Sequence, residues 1–281
     1  MSTSTDAVAN PAVAVVTGSA RGIGKGIVAR LLADGYRVVA NDIDGEALRL
    51  LGNDLGASAS QLVLAQADVS EESSVDDLMD TAINAFGAVD VIVNNAGWSR
   101  PVAHLLAMDT DHWDSVIKTN LRSTFLVTRG AARWLVANDR PGSIICVSSF
   151  GAQRAHRSMS AYDASKGGIE SFIRAAALDL APFGIRVNGI GPGAIHTEAF
   201  DHLGEPGQAE RSRPVPLGRV GTPADVAAAV KFLASSDAGY ITGQIVYVDG
   251  GILAQLRPAD QDIVPPDSVW SLGKQPVTEG I

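Results

Sequence analysis

Two residues of opposite acid–base character, Tyr162 and Lys166, lie four positions apart in a stretch with a helical pattern. On a helix this spacing places the phenol and the ammonium group on one face. A phenol with its ordinary pKa of about 10 exchanges protons poorly at neutral pH, and a neighbouring cation lowers that pKa. The pair is therefore a candidate for general acid–base catalysis. The same spacing also occurs on ordinary helix surfaces, so the interpretation depends on the surrounding segments.

A glycine-rich segment follows the first apolar run of the chain. Residues 12–17 are β-branched and apolar, a pattern typical of a buried parallel strand, and Gly18, Gly22 and Gly24 follow directly. An apolar helical pattern comes next and ends near Gly35. Such a turn lets the backbone approach a pyrophosphate, and the helix N-terminus supplies N–H donors. The spacing differs from the usual Gly-x-Gly-x-x-Gly fingerprint, so the order strand, turn, helix supports the prediction.

A carboxylate ends the second predicted strand. Asp42 lies 20 residues beyond Gly22, about where a dinucleotide fold places the acid that binds the adenosine ribose hydroxyls. Asp42 and Asp44 could also cap the helix that starts near Gly45. A carboxylate here repels a 2′-phosphate and favours NAD, whereas Arg21 could pair with that phosphate and favour NADP. We give Asp42 the greater weight, because an exposed ion pair contributes little.

Six motifs in this order resemble those of the short-chain dehydrogenase/reductase family, over about residues 12–252. They are the turn at 17–24, the pair Asp68 and Val69, the segment Asn94, Asn95, Ala96 and Gly97, then Asn120, then Ser149 with Tyr162 and Lys166, and finally Pro192 and Gly193 with Ile195 and Thr197. The resemblance implies an oxidoreductase that interconverts an alcohol and a carbonyl compound with a nicotinamide cofactor.

The resemblance also implies roles for individual residues. The catalytic residues would be Asn120, Ser149, Tyr162 and Lys166. Tyr162 would act as general acid/base, Lys166 would lower the pKa of Tyr162 and bind the nicotinamide ribose, Ser149 would orient the substrate oxygen, and Asn120 would hold a water. The cofactor would contact Gly18, Arg21, Gly22, Ile23, Gly24, Asp42, Asp68, Val69, Asn95, Gly97, Tyr162, Lys166, Pro192, Gly193, Ile195 and Thr197.

The position of the catalytic serine is ambiguous. Ser148 and Ser149 both end the strand predicted at 143–147. The family usually places this serine 13 residues before the tyrosine, which selects Ser149. Its Ser-x-x-Gly pattern instead selects Ser148, with Gly151 three residues on. We prefer Ser149.

The alternation of strands and helices has no compositional break and predicts one α/β domain of the Rossmann type. This doubly wound domain would have a seven-stranded parallel sheet with helices on both faces. The strands are predicted at 12–17, 37–41, 61–66, 89–94, 143–147, 185–190 and 244–248, with a long helix over 161–180 that carries Tyr162 and Lys166. Thr222 and Pro223 indicate a helix start, as N-cap and first residue.

Composition narrows the possible functions. The 281 residues carry a net charge of −9 without a basic cluster, which gives no support to a nucleic-acid surface. No apolar run approaches the length of a membrane span. The single cysteine, Cys146, cannot form an internal disulfide, and the scattered histidines do not predict a metal site. A hydrolase triad around Ser149 lacks the Gly-x-Ser-x-Gly elbow. We expect a cytoplasmic enzyme.

Three segments are expected to form the substrate pocket. The substrate pocket should be walled by the loop after Ser149, the segment after Gly97 and a lid at about 194–216. These contribute Trp98, Arg154, His156, His202, Arg211 and Arg213.

Residues 1–11 are expected to be a disordered lead. Residues 253–281, rich in both proline and apolar residues, are expected to form an extended arm that packs on a neighbouring subunit of a homotetramer.

The sequence thus predicts an NAD-dependent oxidoreductase that interconverts a secondary alcohol and a ketone. One alternative is an NADP-dependent 3-oxoacyl thioester or carbonyl reductase. A second, of a different class, is a dinucleotide-binding regulatory protein without turnover. Fold-level resemblance does not choose among a polyol, sugar, hydroxy acid, cyclic ketone or thioester as substrate.

Overall fold

The computed structural model of the protein describes residues 11–99 and 101–257. Its sheet contains strands β1 (Val13–Val16), β2 (Arg37–Asp42), β3 (Leu62–Gln66), β4 (Val91–Asn94), β5 (Gly142–Val147), β6 (Ile185–Pro192) and β7 (Ile245–Val248). The α-helices are α1 (Gly22–Ala33), α2 (Gly45–Leu55), α3 (Glu72–Phe86), α4 (Thr110–Ile117), α5 (Ser123–Ala137), α6 (Ser160–Leu180), α7 (Gly204–Ser212) and α8 (Pro223–Ala234). Residues 1–10 of the predicted lead and 258–281 of the predicted arm lie outside the described residues.

All seven strands are parallel, in the order β3-β2-β1-β4-β5-β6-β7. The prediction of a doubly wound, seven-stranded parallel sheet is confirmed. The central strands read as nearly continuous apolar runs because helices cover both of their faces. Val13, Val15 and Ile144 belong to the core under α3, α5 and α6, and Ala14 and Val16 to the core under α1, α2 and α8.

The strand order reverses between β1 and β4, which are neighbours in the sheet although β2 and β3 separate them along the chain. In open parallel sheets, ligands bind in the crevice at the carboxyl ends of the strands at such a reversal. The glycine turn after β1 and the segment after β4, which contains Asn95 and Gly97, therefore face the same crevice. The fold thus brings together motifs that are about 78 residues apart, as in the contact between Asn95 and Thr17.

Local sequence signals explain where the key helices begin and end. Thr222 and Asp225 form a reciprocal capping box at the start of α8, and Pro223 is its first residue, as predicted. Gly56 ends α2 in the left-handed region, with φ of 58°. Helix α6 runs one residue further at its N-terminus than predicted, and its buried residues include Lys166 and Ile169. No helix among residues 11–99 and 101–257 combines the length and apolar character needed to cross a bilayer.

Candidate active site

The turn after β1 is shaped by glycines that have no room for a side chain. A Cβ on Gly18, whose φ is 60°, would lie 2.7 Å from the Cα of Ala96. A Cβ on Gly24 would lie 2.2 Å from the carbonyl oxygen of Gly18. The backbone of the turn can therefore be approached closely by a ligand, as a pyrophosphate site requires.

Asn95 fixes this turn to the end of β4. Its Nδ2 donates to the carbonyl oxygens of Thr17 and Gly18, at 3.0 and 2.7 Å. In return, the hydroxyl of Thr17 accepts from the backbone N–H groups of Asn95 and Ala96 at 3.1 and 3.0 Å. These four bonds hold the turn in one conformation, since each buried polar group has a defined partner.

A lid carboxylate contacts the start of α1. The backbone N–H of Gly22, the first residue of α1, donates to Oε2 of Glu198 at 3.0 Å. The unpaired N–H groups and the dipole of a helix N-terminus attract anions. The Glu198 oxygen therefore stands in for a phosphate oxygen, and this contact shows that the turn can bind an anion. No local signal in the lid sequence indicates that Glu198 contacts a residue 176 positions earlier, so this contact is not predictable from the sequence.

The two aspartates at the end of β2 and just beyond it, Asp42 and Asp44, have different partners. Asp42 accepts from the backbone N–H of Ala20 and of Asp44, both at 3.1 Å, so its carboxylate joins β2 to the glycine turn. Asp44 caps α2 by accepting from Ala47 at 3.0 Å and pairs with Arg21 at 2.6 Å. The Ala47 bond and the Arg21 guanidinium hold the pKa of Asp44 below its usual range. Capping is thus the role of Asp44, and Arg21 already has a carboxylate partner.

The remaining predicted cofactor residues lie just beyond β3, at the start of α1, and at or just beyond the end of β6. Asp68 accepts from the backbone of Ser70 at 2.9 Å, and Val69 is buried. Gly193 follows β6, where a Cβ would lie 2.6 Å from the Cα of Asp249. The buried Ile195 pairs its backbone with Gly221, and a Cβ on Gly22 would lie 3.2 Å from the side chain of Thr197. The structure also places Ile23 in the first turn of α1 and Pro192 at the end of β6.

The predicted catalytic side chains converge at the carboxyl end of β5. The Ser149 hydroxyl bonds to the Tyr162 hydroxyl. Lys166 Nζ lies 5.6 Å from the centroid of the Tyr162 ring and donates to the carbonyl of Val147 at 2.9 Å. A Cβ on Gly97 would lie 3.6 Å from Lys166 Nζ, so the lysine reaches from α6 to the segment after β4.

Asn120 lies in an irregular helical turn that the sequence did not predict. Residues Lys118–Arg122 form a π-helical turn between α4 and α5, a local distortion that is frequent at functional sites. Asn120 is fully buried, and its side chain accepts from Trp98 N–H at 2.9 Å. Its Nδ2 donates to the Trp98 carbonyl and to the Ser165 hydroxyl, at 3.1 and 3.0 Å. Asn120 therefore ties the segment after β4 to α6.

Burial changes the proton affinity of both members of the Tyr162–Lys166 pair. It lowers the pKa of Lys166 from 10.5 to about 8, since a buried ammonium loses its hydration. It also raises the pKa of Tyr162, and Asp163 raises it further, while the Ser149 hydrogen bond acts in the opposite direction. Burial, Ser149 and Asp163 are the resolved causes of the Tyr162 shift, and Lys166 Nζ donates to the Val147 carbonyl. The lowering of the Tyr162 pKa by Lys166 therefore stays a prediction.

The structure separates the two serines after β5. The Ser148 hydroxyl is directed toward Glu170 Oε1 at 3.0 Å and the Lys166 carbonyl at 3.3 Å, both behind the crevice. Glu170 is itself buried and also accepts from Tyr247 at 2.6 Å. The Ser149 hydroxyl, by contrast, faces Tyr162 and accepts from Gly151 N–H at 3.0 Å.

Several side chains expected in the substrate pocket have structural partners. Arg154 donates to the Ile252 carbonyl at 3.1 Å, and Arg211 donates to the Ile195 carbonyl at 2.9 Å. Trp98 packs edge-to-face against His112, with the ring centroids 5.6 Å apart. His202 and Arg213 are exposed in the lid segment 194–216, His202 in the 3₁₀ helix Glu198–Leu203 and Arg213 directly after α7. No group of three or more potential metal ligands occurs within the described part of the chain.

The chain matches a family model and several known proteins. Residues 18–253 match the family model described as enoyl-(acyl carrier protein) reductase. The chain is 40% identical over 249 residues to mouse (Mus musculus) (3R)-3-hydroxyacyl-CoA dehydrogenase, covering 86% of this chain and 96% of the relative. It is 38% identical over 239 residues to the (2S)-[(R)-hydroxy(phenyl)methyl]succinyl-CoA dehydrogenase subunit BbsD of Thauera aromatica, covering 85% and 95% of the two chains.

A third relative and a solved structure extend the comparison. Glucose 1-dehydrogenase 2 of Bacillus subtilis is 37% identical over 245 residues, covering 85% of this chain and 93% of that one. The crystal structure of gox2181 superimposes with a TM-score of 0.82 at 31% identity, covering 88% and 97% of the two chains. The chain belongs to the short-chain dehydrogenase/reductase family, and it is an oxidoreductase of that family.

Proposed function

We propose that the protein is an NAD-dependent dehydrogenase that interconverts a secondary alcohol and a ketone, with Tyr162 as general acid/base. The convergence of Tyr162, Ser149 and Lys166 beside the glycine turn is the observation that carries this proposal. A regulatory protein without turnover would have no need for a buried lysine next to the Tyr162 phenol. Strongly perturbed pKa values in a crevice are typical of catalytic groups.

The residues of the crevice fit a nicotinamide dinucleotide. The crowded glycines and the anion contact at Gly22 suit a pyrophosphate. Asp42 suits the adenosine ribose, and Lys166, Asn95 and the segment 192–197 suit the nicotinamide half. The cofactor, when bound, supplies the group that accepts or returns a hydride.

The side chains of the site can manage the proton and the charge on the substrate oxygen. Tyr162 takes the hydroxyl proton of the alcohol, or returns it to the carbonyl oxygen in the reverse direction. Ser149 donates a hydrogen bond to the same oxygen and stabilises the charge that develops there. Lys166 supplies a cation close to Tyr162, and Asn120 holds the helix of Lys166 against the segment after β4.

NAD is preferred over NADP in this proposal because Asp42, the last residue of β2, contacts the glycine turn, where its carboxylate would repel a 2′-phosphate. Arg21, the one residue of the turn that could attract that phosphate, is paired with Asp44. The alternative is an NADP-dependent reductase of 3-oxoacyl thioesters or other carbonyl compounds. The names of the two acyl-CoA relatives favour a thioester, and the name of the glucose relative favours a sugar.

We further propose a cytoplasmic homotetramer whose substrate is a small molecule, without a nucleic-acid or membrane partner. An apolar groove of about 460 Å³ runs between α5 and α6 and supports this assembly. Phe125 and Val136 border the groove and are 41% and 39% exposed. Apolar faces of this kind mark contacts between proteins.

One experiment tests the reaction and the cofactor together. The protein is assayed by NADH or NADPH absorbance against a panel of secondary alcohols, hydroxyacyl thioesters and ketones. We expect a higher kcat/KM with NAD than with NADP, and a weaker preference in Asp42→Ala. A higher kcat/KM with NADP in the wild type would contradict the role of Asp42. The absence of turnover with every compound would favour the regulatory alternative.

A further inference from the structure

His156 is a polar side chain beside Tyr162 that the reaction described above does not use. Its ring lies edge-on to Phe150, with centroids 5.1 Å apart, and 6.4 Å from the Tyr162 ring. It belongs to the loop that connects Ser149 to α6. The side chain is 31% exposed, so part of the ring faces the open side of this loop.

Asp163 holds His156 by two hydrogen bonds. The backbone N–H of His156 donates to Oδ2 at 2.6 Å, and Nδ1 of the ring bonds to Oδ1 at 2.9 Å. The Asp163 side chain is only 10% exposed, and it follows Tyr162 directly on α6. Because an ionised carboxylate only accepts, Nδ1 must carry the hydrogen in this pair.

The tautomer determines what the other ring nitrogen can do. A neutral imidazole with its hydrogen on Nδ1 keeps its lone pair on Nε2. Among the described residues Nε2 has no hydrogen-bond partner, and it is not one of the atoms buried without one. Nε2 is therefore an accessible acceptor, fixed in direction, beside the proposed general acid/base.

We propose that His156 is a specificity-determining residue that accepts a hydrogen bond from a second hydroxyl group of the substrate. The inference rests on the proposed function, because it assumes that the reacting alcohol carbon lies at Tyr162. The substrate class is then a diol, polyol or sugar, whose additional hydroxyl can donate to Nε2. A 3-oxoacyl or 3-hydroxyacyl thioester offers only acceptors at that place.

The geometry favours a binding role over a purely structural one. The loop backbone is already anchored to Asp163 through the N–H of His156, so any residue at this position would keep that bond. The second bond, from the ring, orients the imidazole and fixes its tautomer. A group that is held in orientation and tautomer but not covered is suited to recognising a ligand.

The test compares matched substrates that differ by one hydroxyl. Butane-2,3-diol and butane-1,3-diol are assayed against butan-2-ol, with NAD at about pH 9, where free imidazole is neutral. A 3-hydroxybutanoyl thioester is included as the substrate class of the alternative. The wild type should prefer a diol. In His156→Leu the ratio of kcat/KM for diol over butan-2-ol should fall about 10-fold, mainly through KM, because one hydrogen bond is lost.

Two further variants sharpen the result. His156→Gln keeps an acceptor near the position of Nε2 and should retain part of the diol preference. Arg49→Leu changes an exposed residue of α2, which is not part of the pocket, and should keep the wild-type ratio. An unchanged ratio in His156→Leu, or a wild type that prefers butan-2-ol or the thioester, would overturn the inference and leave the proposed function standing. Failure of the wild type on all of these compounds would count against the proposed function itself.

Discussion

At the scale of single residues, burial shifts the pKa values of Lys166 and Tyr162 in opposite directions. Burial favours the neutral form of Lys166 and the protonated form of Tyr162. A phenol that serves as a base must lose its proton, so burial alone opposes catalysis by Tyr162. Within the described residues, burial and Asp163 raise the pKa of Tyr162, and only the Ser149 hydrogen bond lowers it. Ser149 therefore supports the tyrosine as well as the substrate oxygen.

The two serines should separate in their effects on rate and stability. Ser149→Ala removes the partner of Tyr162, so kcat should fall by at least about 10-fold, with a small effect on stability. Ser148→Ala removes a buried bond to Glu170 and should lower the free energy of unfolding by about 1 kcal/mol while kcat changes less. Kinetics and urea unfolding of both variants measure this. A larger loss of kcat in Ser148→Ala would reverse the assignment.

Burial of Lys166 predicts a pH dependence of stability. Below about pH 8 the folded and unfolded states both carry the charged lysine, and the folded state bears the cost of burying it. Between about 8 and 10.5 the unfolded state binds more protons, so the free energy of unfolding rises with pH. Above 10.5 the cost is gone.

Lys166→Met removes this titration and serves as the reference. Relative to the variant, the wild type should gain up to roughly 3 kcal/mol of unfolding free energy across that window, since each pKa unit corresponds to about 1.4 kcal/mol. Urea unfolding at several pH values measures the difference. A difference that stays constant from pH 8 to 10.5 would show that Lys166 is not desolvated as the structure indicates.

At the scale of elements, a lid carboxylate and a cofactor phosphate would compete for the same N–H donor at the start of α1. Glu198, at the start of the lid, occupies the Gly22 N–H that a cofactor phosphate would need. The carboxylate must therefore move when the dinucleotide binds. This links the position of the lid to the state of the cofactor site.

Removing the competing charge should strengthen cofactor binding. Glu198→Gln should lower the Kd of NADH several-fold, because the amide binds an N–H less strongly than a carboxylate. Glu205→Gln, on α7 of the same lid, is the matched control and should leave the Kd near its wild-type value. Fluorescence titration with NADH measures both. Weaker binding in Glu198→Gln would mean that Glu198 assists the cofactor instead of competing with it.

At the scale of the whole molecule, the apolar groove between α5 and α6 accounts for the proposed assembly. Phe125 and Phe172 meet edge-to-face across it, with centroids 6.3 Å apart. Phe125→Glu should therefore produce a smaller assembly, because it places a charge on a face that a neighbouring subunit would cover. Leu50→Glu, which changes an exposed residue of α2, is the control. Light scattering gives the masses, and an unchanged mass in Phe125→Glu would contradict the proposal.

The sequence predicted the fold because its signals were local and consistent. All seven strands were predicted within two residues of their observed ends. Apolar runs, glycine turns and the Thr222 cap point to the same topology. The motif residues also converge as expected, since the carboxyl ends of parallel strands meet at one edge of the sheet.

The features that the sequence did not predict depend on contacts between distant segments or on local distortion. Glu198 reaches Gly22 only because the lid folds over the crevice. The π-helical turn at Asn120 has no residue signature, and the direction of the Lys166 ammonium follows from packing. The Asp163–His156 pair joins a loop to a helix, so its spacing alone carries no signal.

The identity of Tyr162 as the general acid/base is the central claim, and one measurement tests it most directly. Turnover is followed as NADH absorbance with an alcohol that the wild type oxidises, in Tyr162→Phe and in Tyr240→Phe, which alters a fully exposed tyrosine. NADH binding is measured by fluorescence in the same preparations. We expect Tyr162→Phe to bind NADH nearly as the wild type does and to lose at least about 10²-fold in kcat, while Tyr240→Phe stays active. Near-normal turnover in Tyr162→Phe would contradict the mechanism.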